Sequence, residues 1–331
     1  MECNIYDSTL TKIGIISSFV SMTWEEQYSD AGSFQLVVNK EDYVLELLKI
    51  GNFVAVRPFD TLMFIYSIED KESQIWAHGA EAKQLLKTRI YDGTLICKNV
   101  EETLKMAVME KRPLPIFSVT ESRGLDETIN SQRSYKSLFD MSKAWCDMAG
   151  YGFRLIHDRQ NKKLLYDVYS GEEQQNTVFA EKYRNMYNLE RTQSKKQMAN
   201  VAYVAGEGEG EDRVRTVVGD LESEGWARGE IFVDAKDIMR EEKQTLEDYI
   251  ELLKARGLEE LQNYQLIDEI DFEVDATGFG EEYSLGDIVT CLLPEYGLKK
   301  QVRITGFRKI YEGNVEKTEL TLGVPILRTE V

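Results

Sequence analysis

Trp24-Glu-Glu-Gln-Tyr28-Ser-Asp-Ala-Gly32-Ser-Phe34-Gln-Leu36-Val-Val38 carries an aromatic strand, a polar turn and a second, alternating strand in one short run. Phe34, Leu36 and Val38 fall on one face of an extended segment while Ser33, Gln35 and Val37 fall on the other, the period of two that marks a half-buried strand. The stretch predicts a hairpin in an antiparallel sheet, and its content is structural rather than catalytic.

Working outward, residues 1–90 read as short strands: Cys3–Tyr6, Ile13–Ser17, Ser18–Tyr28, Ser33–Asn39, Asn52–Arg57 and Leu62–Asp70. A short helix near Glu41–Lys49, with Val44, Leu47 and Leu48 at helical spacing and Gly51 as its stop, is expected to plug a small barrel. Met63–Ile68 is apolar on both faces, so its outer face is expected to lie under another domain or subunit. A helical segment from Glu81 to Ile90, with Leu85, Leu86 and Ile90 on its apolar side, would close this first domain.

Residues 91–184 change character. A helix over Val100–Lys111 and a stronger one over Ser134–Ala149 precede two strands, Tyr151–His157 and Lys163–Tyr169, the pattern of a small α+β domain. Ser134 is the expected N-cap of the second helix, Gly150 its left-handed stop, and Tyr135, Leu138, Met141, Trp145 and Met148 its apolar stripe.

From 185 to 331 strands return: Met186–Gln193, Asn200–Ala205, Arg213–Val218, Glu230–Val233, Ile270–Asp275, a run from Tyr283, Lys300–Tyr311 and Thr318–Leu322. Turns are expected at Pro294–Gly297 and Glu312–Asn314. An amphipathic helical segment at about 242–266 interrupts them, with Leu246, Ile250, Leu253, Leu258 and Leu261 apolar and Gly257 as a break. The expected fold class is α+β, mainly antiparallel β, with two small β-barrel domains flanking or packed with a middle α+β domain.

Composition narrows the function. A net charge of -18 over 331 residues repels the phosphate backbone and argues against specific nucleic-acid binding. No run reaches the ~20 apolar residues of a membrane span, and Met1-Glu2-Cys3-Asn4 lacks the basic start of a signal peptide, so synthesis in the cytoplasm is expected. Cys3, Cys97, Cys146 and Cys291 stand singly, without metal-ligand or disulfide spacing, and read as buried thiols.

Candidate chemistry is sparse. His78 and His157, the only 2 histidines, fall in different predicted domains without a partner motif. Paired carboxylates, Glu25 with Glu26 and Asp268, Glu269, Asp271 and Glu273, are too numerous to single out a glycosidase pair. Gly206, Gly208 and Gly210 alternate with Glu207, Glu209 and Glu211, which repel phosphate, so a hairpin tip is expected there rather than a phosphate loop. Glu207, Glu209, Glu211 and Asp212 do not follow the calcium-loop pattern. Trp24, Tyr28, Trp76, Trp145 and Trp226 read as core or subunit-contact aromatics before they read as a sugar platform. No catalytic residue, metal ligand or cofactor is expected.

Four stretches taken in order carry a family resemblance: Trp24–Val38; Ile50–Val56 leading to Ile65–Asp70; His78–Arg89; and Tyr283-Ser-Leu-Gly286-Asp287-Ile-Val289 followed by Val302–Thr305. The chain resembles siphophage tail proteins, the baseplate and tail-tip hubs related to the N-terminal regions of tail-associated lysins. The resemblance implies a structural virion component of the tail, a homotrimer whose barrels form a ring joining tail tube to tip or baseplate and letting double-stranded DNA pass. It differs from longer relatives in stopping about eight residues after the last expected strand, with no appended peptidase or muramidase, so no enzymatic activity is expected. Trp24, Tyr28, Phe34, Phe64, Tyr66, Ile68, Tyr283, Leu285 and Ile288 are the expected subunit-contact residues. The acidic balance would line the ring so that DNA slides without sticking. A host-facing carbohydrate- or receptor-binding module is the alternative, and a cell-wall hydrolase a further one.

Overall fold

A computed structural model of the chain describes residues 2–241, 244–274, 278–294, 298–313 and 315–323. The expected residues Asp275, Glu295–Gly297, Asn314 and the start of the 242–266 segment lie outside them. The N-terminal part contains β1 (Cys3–Tyr6), β2 (Lys12–Ile16), β3 (Ser21–Gln27), β4 (Ser33–Asn39), α1 (Asp42–Leu47), β5 (Phe53–Val56), β6 (Met63–Asp70) and β7 (Gln74–Glu81). The middle contains β8 (Thr94–Asn99), α2 (Val100–Lys111), β9 (Phe117–Val119), β10 (Thr128–Ser134), α3 (Leu138–Ala149), β11 (Gly152–Asp158) and β12 (Lys163–Tyr169). Then come β13 (Glu173–Phe179), β14 (Tyr187–Ser194), β15 (Val201–Ala205), β16 (Arg215–Gly219), β17 (Glu230–Asp234), α4 (Leu246–Gln262), β18 (Ile267–Val274), β19 (Ile288–Leu293), β20 (Leu298–Glu312) and β21 (Val315–Gly323). The chain is mostly antiparallel β with few helices.

The opening hairpin forms as its alternation predicts. Ser21 pairs with Val37 and Trp24 with Phe34, while Phe34, Leu36 and Val38 are buried. On β3 the inward residues are Met22, Trp24 and Glu26, so the pleat also turns one carboxylate inside.

Two separate barrels are not found. One 13-stranded sheet runs β14-β18-β21-β20-β3-β4-β7-β6-β5-β1-β2, with β19 on β20 and β13 on β19, and no closed barrel occurs among the described residues. The physical reason is the length of β20. Its 15 residues span about 50 Å at a strand rise of ~3.3 Å per residue. One edge of it therefore serves two partners: Leu298–Arg303 pairs with β19, and Gly306–Glu312 pairs with Gln27–Ser21 of β3. The last strands of the chain are hydrogen-bonded directly to the hairpin read first.

A first core fills this sheet and mixes both ends of the sequence, from Cys3, Trp24 and Phe34 to Val289, Phe307 and Leu322. A second core joins α2, α3 and strands β9, β11 and β12 to the outer side of β5 and β6, with Phe53, Leu62, Phe117, Phe139, Trp145 and Phe153 inside. Phe64 packs on that second core, so the outer face of β6 is covered in part by the chain's own middle segment. The third core is local: β15, β16 and β17, which do not join β18–β21, make a three-stranded sheet with α4 on one face.

Helix ends adjust the expected boundaries. α3 starts at Leu138, because the Ser137 side chain accepts the Asp140 N–H as N-cap, and Ser134 ends β10 instead. Gly150 takes the left-handed stop, at φ 70°. The buried side of α4 is Tyr249, Leu252, Leu253, Arg256 and Leu261, and Leu246 and Leu258 are exposed. Gly257 does not break the helix; a Cβ there would lie 2.5 Å from Val204 Cγ2, so glycine lets α4 close onto the sheet.

Candidate assembly site

The nine expected contact residues divide by burial. Trp24, Tyr28, Phe34 and Tyr283 are buried inside the chain itself. Phe64, Ile68, Leu285 and Ile288 are half-buried, and Tyr66 is 51% exposed.

Three of the buried four, Trp24, Phe34 and Tyr283, belong to one line of rings. Trp24 stacks on Phe59 with centroids 5.0 Å apart, Phe59 stacks on Phe307 at 5.5 Å, and Phe307 meets Phe279 at 4.4 Å. Phe279 contacts Tyr283 edge-on at 5.8 Å, and Phe34 meets Trp24 edge-on at 5.9 Å. The line carries the apolar face of the opening hairpin into the Tyr283 turn, so these aromatics join the two ends of one chain.

Tyr28 does the same for three parts of the fold. Its backbone N–H donates to Thr305 O at 2.8 Å, and its carbonyl accepts from Phe153 N at 3.1 Å. Its hydroxyl lies 3.2 Å from each of the carbonyls of Gly150 and Tyr169 and accepts from Gly171 N at 3.2 Å. Burial pushes this phenol up to about 12, so it stays a neutral donor. Two glycines make room, since a Cβ at Gly152 or Gly286 would fall 2.4 or 2.3 Å from the Tyr28 ring.

The Tyr283-Ser-Leu-Gly-Asp turn now has a local explanation. Gly286 sits at φ 96°, open to glycine at little cost. Asp287 accepts from Ser284 N at 2.9 Å across the turn, from Glu172 N at 2.9 Å and from Gln174 Nε2 at 3.1 Å. The motif thus fastens the start of β13 to the start of β19.

Beneath Tyr28 is a buried charged group that the sequence reading did not single out. Glu26 accepts from Trp24 Nε1 at 2.8 Å and from the Thr61 hydroxyl. Glu81 accepts from Gly32 N at 2.7 Å and Gln27 N at 3.0 Å, and lies 3.2 Å from Lys83 Nζ. Lys83 also donates to Gln27 O and, at 3.1 Å, to Phe153 O, which ties the sheet to the middle segment. Burial raises both carboxylates, Glu81 to about 7, because Lys83 and the backbone donors only partly replace water. The available signal was parity: Trp24, Glu26 and Tyr28 share one strand face.

A second buried ionic cluster holds the third core to the middle segment. Arg133 of β10 binds Glu259 of α4, Ser131 Oγ donates to Glu259 at 3.1 Å, and Trp145 Nε1 donates to Ser131 Oγ at 3.0 Å. Arg256 adds a bond to Gln132 O at 2.7 Å and a 3.1 Å contact with Asp237.

Neither histidine meets a serine, threonine or cysteine side chain among the described residues. His157 is buried edge-on against Tyr6 with no hydrogen-bond partner at either nitrogen, and burial pulls it down to about 4. His78 lies in the β4–β7 ladder, 3.4 Å from Gln35 Nε2 and 3.2 Å from Glu69. No group of histidine, cysteine and carboxylate side chains suited to a metal ion occurs among the described residues, and the four cysteines are free and buried. The Gly206–Asp212 run is the tip joining β15 to β16. No helix among the described residues is long and apolar enough to cross a membrane.

Comparison with known proteins adds three solved folds. The prophage MuSo2 43 kDa tail protein from Shewanella oneidensis matches with TM-score 0.63 at 12% identity, over 98% of this chain and 99% of its own. A tail protein from Neisseria meningitidis MC58 matches with TM-score 0.61 at 13% identity, over 97% and 95%. Prophage tail protein gp18 from Listeria monocytogenes EGD-e matches with TM-score 0.56 at 14% identity, over 97% and 94%. At these identities the likeness is one of fold. No curated protein matches by sequence. The family described as Siphovirus ReqiPepy6 Gp37-like protein matches residues 2–324.

Proposed function

The chain belongs to the Siphovirus ReqiPepy6 Gp37-like family of phage tail proteins, and from that membership we propose that it is a hub of the tail tip or baseplate. Family and shared fold make it a structural protein of the phage tail or baseplate. The hub reading adds a homotrimeric ring between tail tube and tip, through which DNA passes.

The observation that carries the reading is the β3–β20 pairing. It makes both ends of the chain one rigid sheet whose path finishes at β2 on one side and β14 on the other. In this reading β2 of one copy meets β14 of the next, a head-to-tail contact, and head-to-tail contact closes into a ring when the rotation per subunit allows. Exposed Ile13 and Ile15 on β2 and exposed Tyr187 on β14 supply apolar surface at those edges. Tyr66, exposed on β6 inside the sheet, offers contact surface away from those edges, while Phe64, Ile68 and Leu285 pack on the chain's own cores and Ile288 is half-buried. Trp24, Tyr28, Phe34 and Tyr283 act from inside by holding the sheet in shape.

The net charge of -18 fits a bore that repels DNA and binds none of it. In this reading the work lies in subunit geometry and not in bond chemistry. Native mass spectrometry of the purified chain tests it. The expected species is three times 38.1 kDa, returned to single chains by Ile13→Asp with Ile15→Asp. A chain that stays single alone and in the presence of its tail-tube partner contradicts it.

A further inference from the structure

The three-stranded sheet β16-β15-β17 has α4 on one face, and on the other the pairing aligns Val217, Tyr203 and Phe232 in one row. Tyr203 is 42% and Phe232 64% exposed, and a cavity of about 840 Å3 opens above them. Arg213 and Arg215 line one end of it, where Ala205 pairs with Arg215 and with Asp234. Arg213 lies 5.8 Å over the Phe232 ring and binds Asp234, so its charge is matched. Arg215 is exposed, donates to Gly210 O and has no carboxylate partner among the described residues. The face is an apolar floor with one unmatched cation at its end.

The opposite end, where Val201 pairs with Gly219 and with Glu230, carries the loop 220–229. Its backbone is tied down. Asn200 Nδ2 donates to Ser223 Oγ and to Ala227 O, each at 2.9 Å, and Arg228 Nη1 donates to Leu221 O at 3.2 Å. Yet this fixed loop holds Trp226 100% exposed and Leu221 55% exposed. Tryptophan is among the side chains that most often anchor protein contacts, and a loop ordered beforehand loses little freedom when it binds. Glu222 and Glu224 stand beside the indole, exposed and without an ion pair among the described residues, while Arg228 is taken by Glu230 at 2.6 Å.

An anchor that is apolar and anionic fits an apolar cavity with an unmatched cation, and both halves are present on this chain. They do not meet within one copy. The step from Val201 to Ala205, about 13 Å at ~3.3 Å per residue, separates the two ends, and a fully exposed Trp226 rests on nothing of its own chain. The 870 Å3 cavity beside Tyr283 carries Glu281 and Glu282, and the 270 Å3 cavity beside Ile96 carries Glu241, so both repel an acidic loop.

We propose that loop 220–229 of one copy docks on the β15–β17 face of the next, with Trp226 on the Tyr203 and Phe232 floor and Glu222 or Glu224 on Arg215. Loop and face are different surfaces, so the contact is head-to-tail. It adds a second seam to the ring proposed above and rests on that reading for its closure into three copies.

Sedimentation velocity of the full chain over a concentration series tests it. The parent is expected to associate, Trp226→Ala to weaken association at least about thirtyfold, the share of an anchor tryptophan, and Arg215→Glu to weaken it about tenfold. These side chains are exposed, so melting temperatures should stay unchanged. Glu222→Arg with Glu224→Arg, placed in the Arg215→Glu chain, should restore association; failure to restore it overturns the assigned pairing. Association like the parent's in Trp226→Ala and Arg215→Glu, with Ile13→Asp plus Ile15→Asp falling apart, overturns this contact and leaves the ring reading standing. The reverse pattern supports this contact and removes the edge-to-edge one. A parent chain that stays single at every concentration also overturns the proposal.

Discussion

The Arg303 guanidinium lies over the ring of Tyr28, 5.0 Å from its centroid, and donates through Nη1 to Gly286 O at 2.6 Å. A β20 side chain thus clamps the ring that ends β3 against the turn that begins β19. Gly286 is the tightest point, with φ 96° and no room for a Cβ. Gly286→Ala should cost about 3 kcal/mol, from backbone strain and overpacking of ~1–3 kcal/mol each. Urea unfolding of the full chain measures it; a change below a few tenths of a kcal/mol would mean that Tyr28 has room to move.

Tyr28 itself separates packing from hydrogen bonding. Tyr28→Phe keeps the ring but leaves Gly171 N–H without its acceptor, at a cost of about 1–3 kcal/mol. Tyr28→Ala also empties the space between Gly152 and Gly286 and should cost about 3–5 kcal/mol. Equal losses in the two variants would place all of the effect in the hydroxyl.

Two buried groups should give opposite pH signatures. Glu81 rises from 4.5 to about 7 on folding, so between those values the unfolded chain releases a proton that the folded chain keeps. Its contribution to stability is therefore fully present below pH 4.5 and is lost as pH rises towards 7. His157 falls from 6.5 to about 4, so in that window the unfolded chain holds the extra proton, and stability rises with pH. Denaturation midpoints across pH 4–8 for the parent, Glu81→Gln and His157→Phe isolate each term by difference. Differences of the same sign for both variants would contradict the assigned burial.

The third core should loosen on its own when its clamp is cut. Glu259→Ala leaves Arg133 buried without its carboxylate, at a cost of about 3–5 kcal/mol. Hydrogen exchange should then quicken in α4 and β15–β17 while β3, β4 and β20 stay protected. Uniform quickening would mean that the three cores unfold as one.

Legibility followed the range of the interactions. The hairpin at Trp24–Val38, the stop at Gly150 and the tip at Gly206–Asp212 depend on neighbours in sequence, and period and turn chemistry disclose them. The β3–β20 pairing joins Ser21 to Glu312 across nearly the whole chain. Alternation alone names the buried face of a strand but not its edge partner. That is why alternation points to two barrels where one sheet exists, and why Trp24 and Tyr283 read as subunit contacts although both are buried within the chain. Gly152 and Gly286 marked close approaches, yet nothing local says that Tyr28 approaches both. In α4 the apolar stripe was misplaced because Arg256 and Glu259, charged by type, face inward to the middle segment.

The account rests on copies of this sheet meeting edge to edge around an axis, and cryo-electron microscopy of purified tail particles views that arrangement directly. It predicts three copies in a threefold ring, β2 of one beside β14 of the next, around an acidic bore open to DNA. A single copy off the tail axis, or a ring whose bore is lined by lysine and arginine, would contradict it.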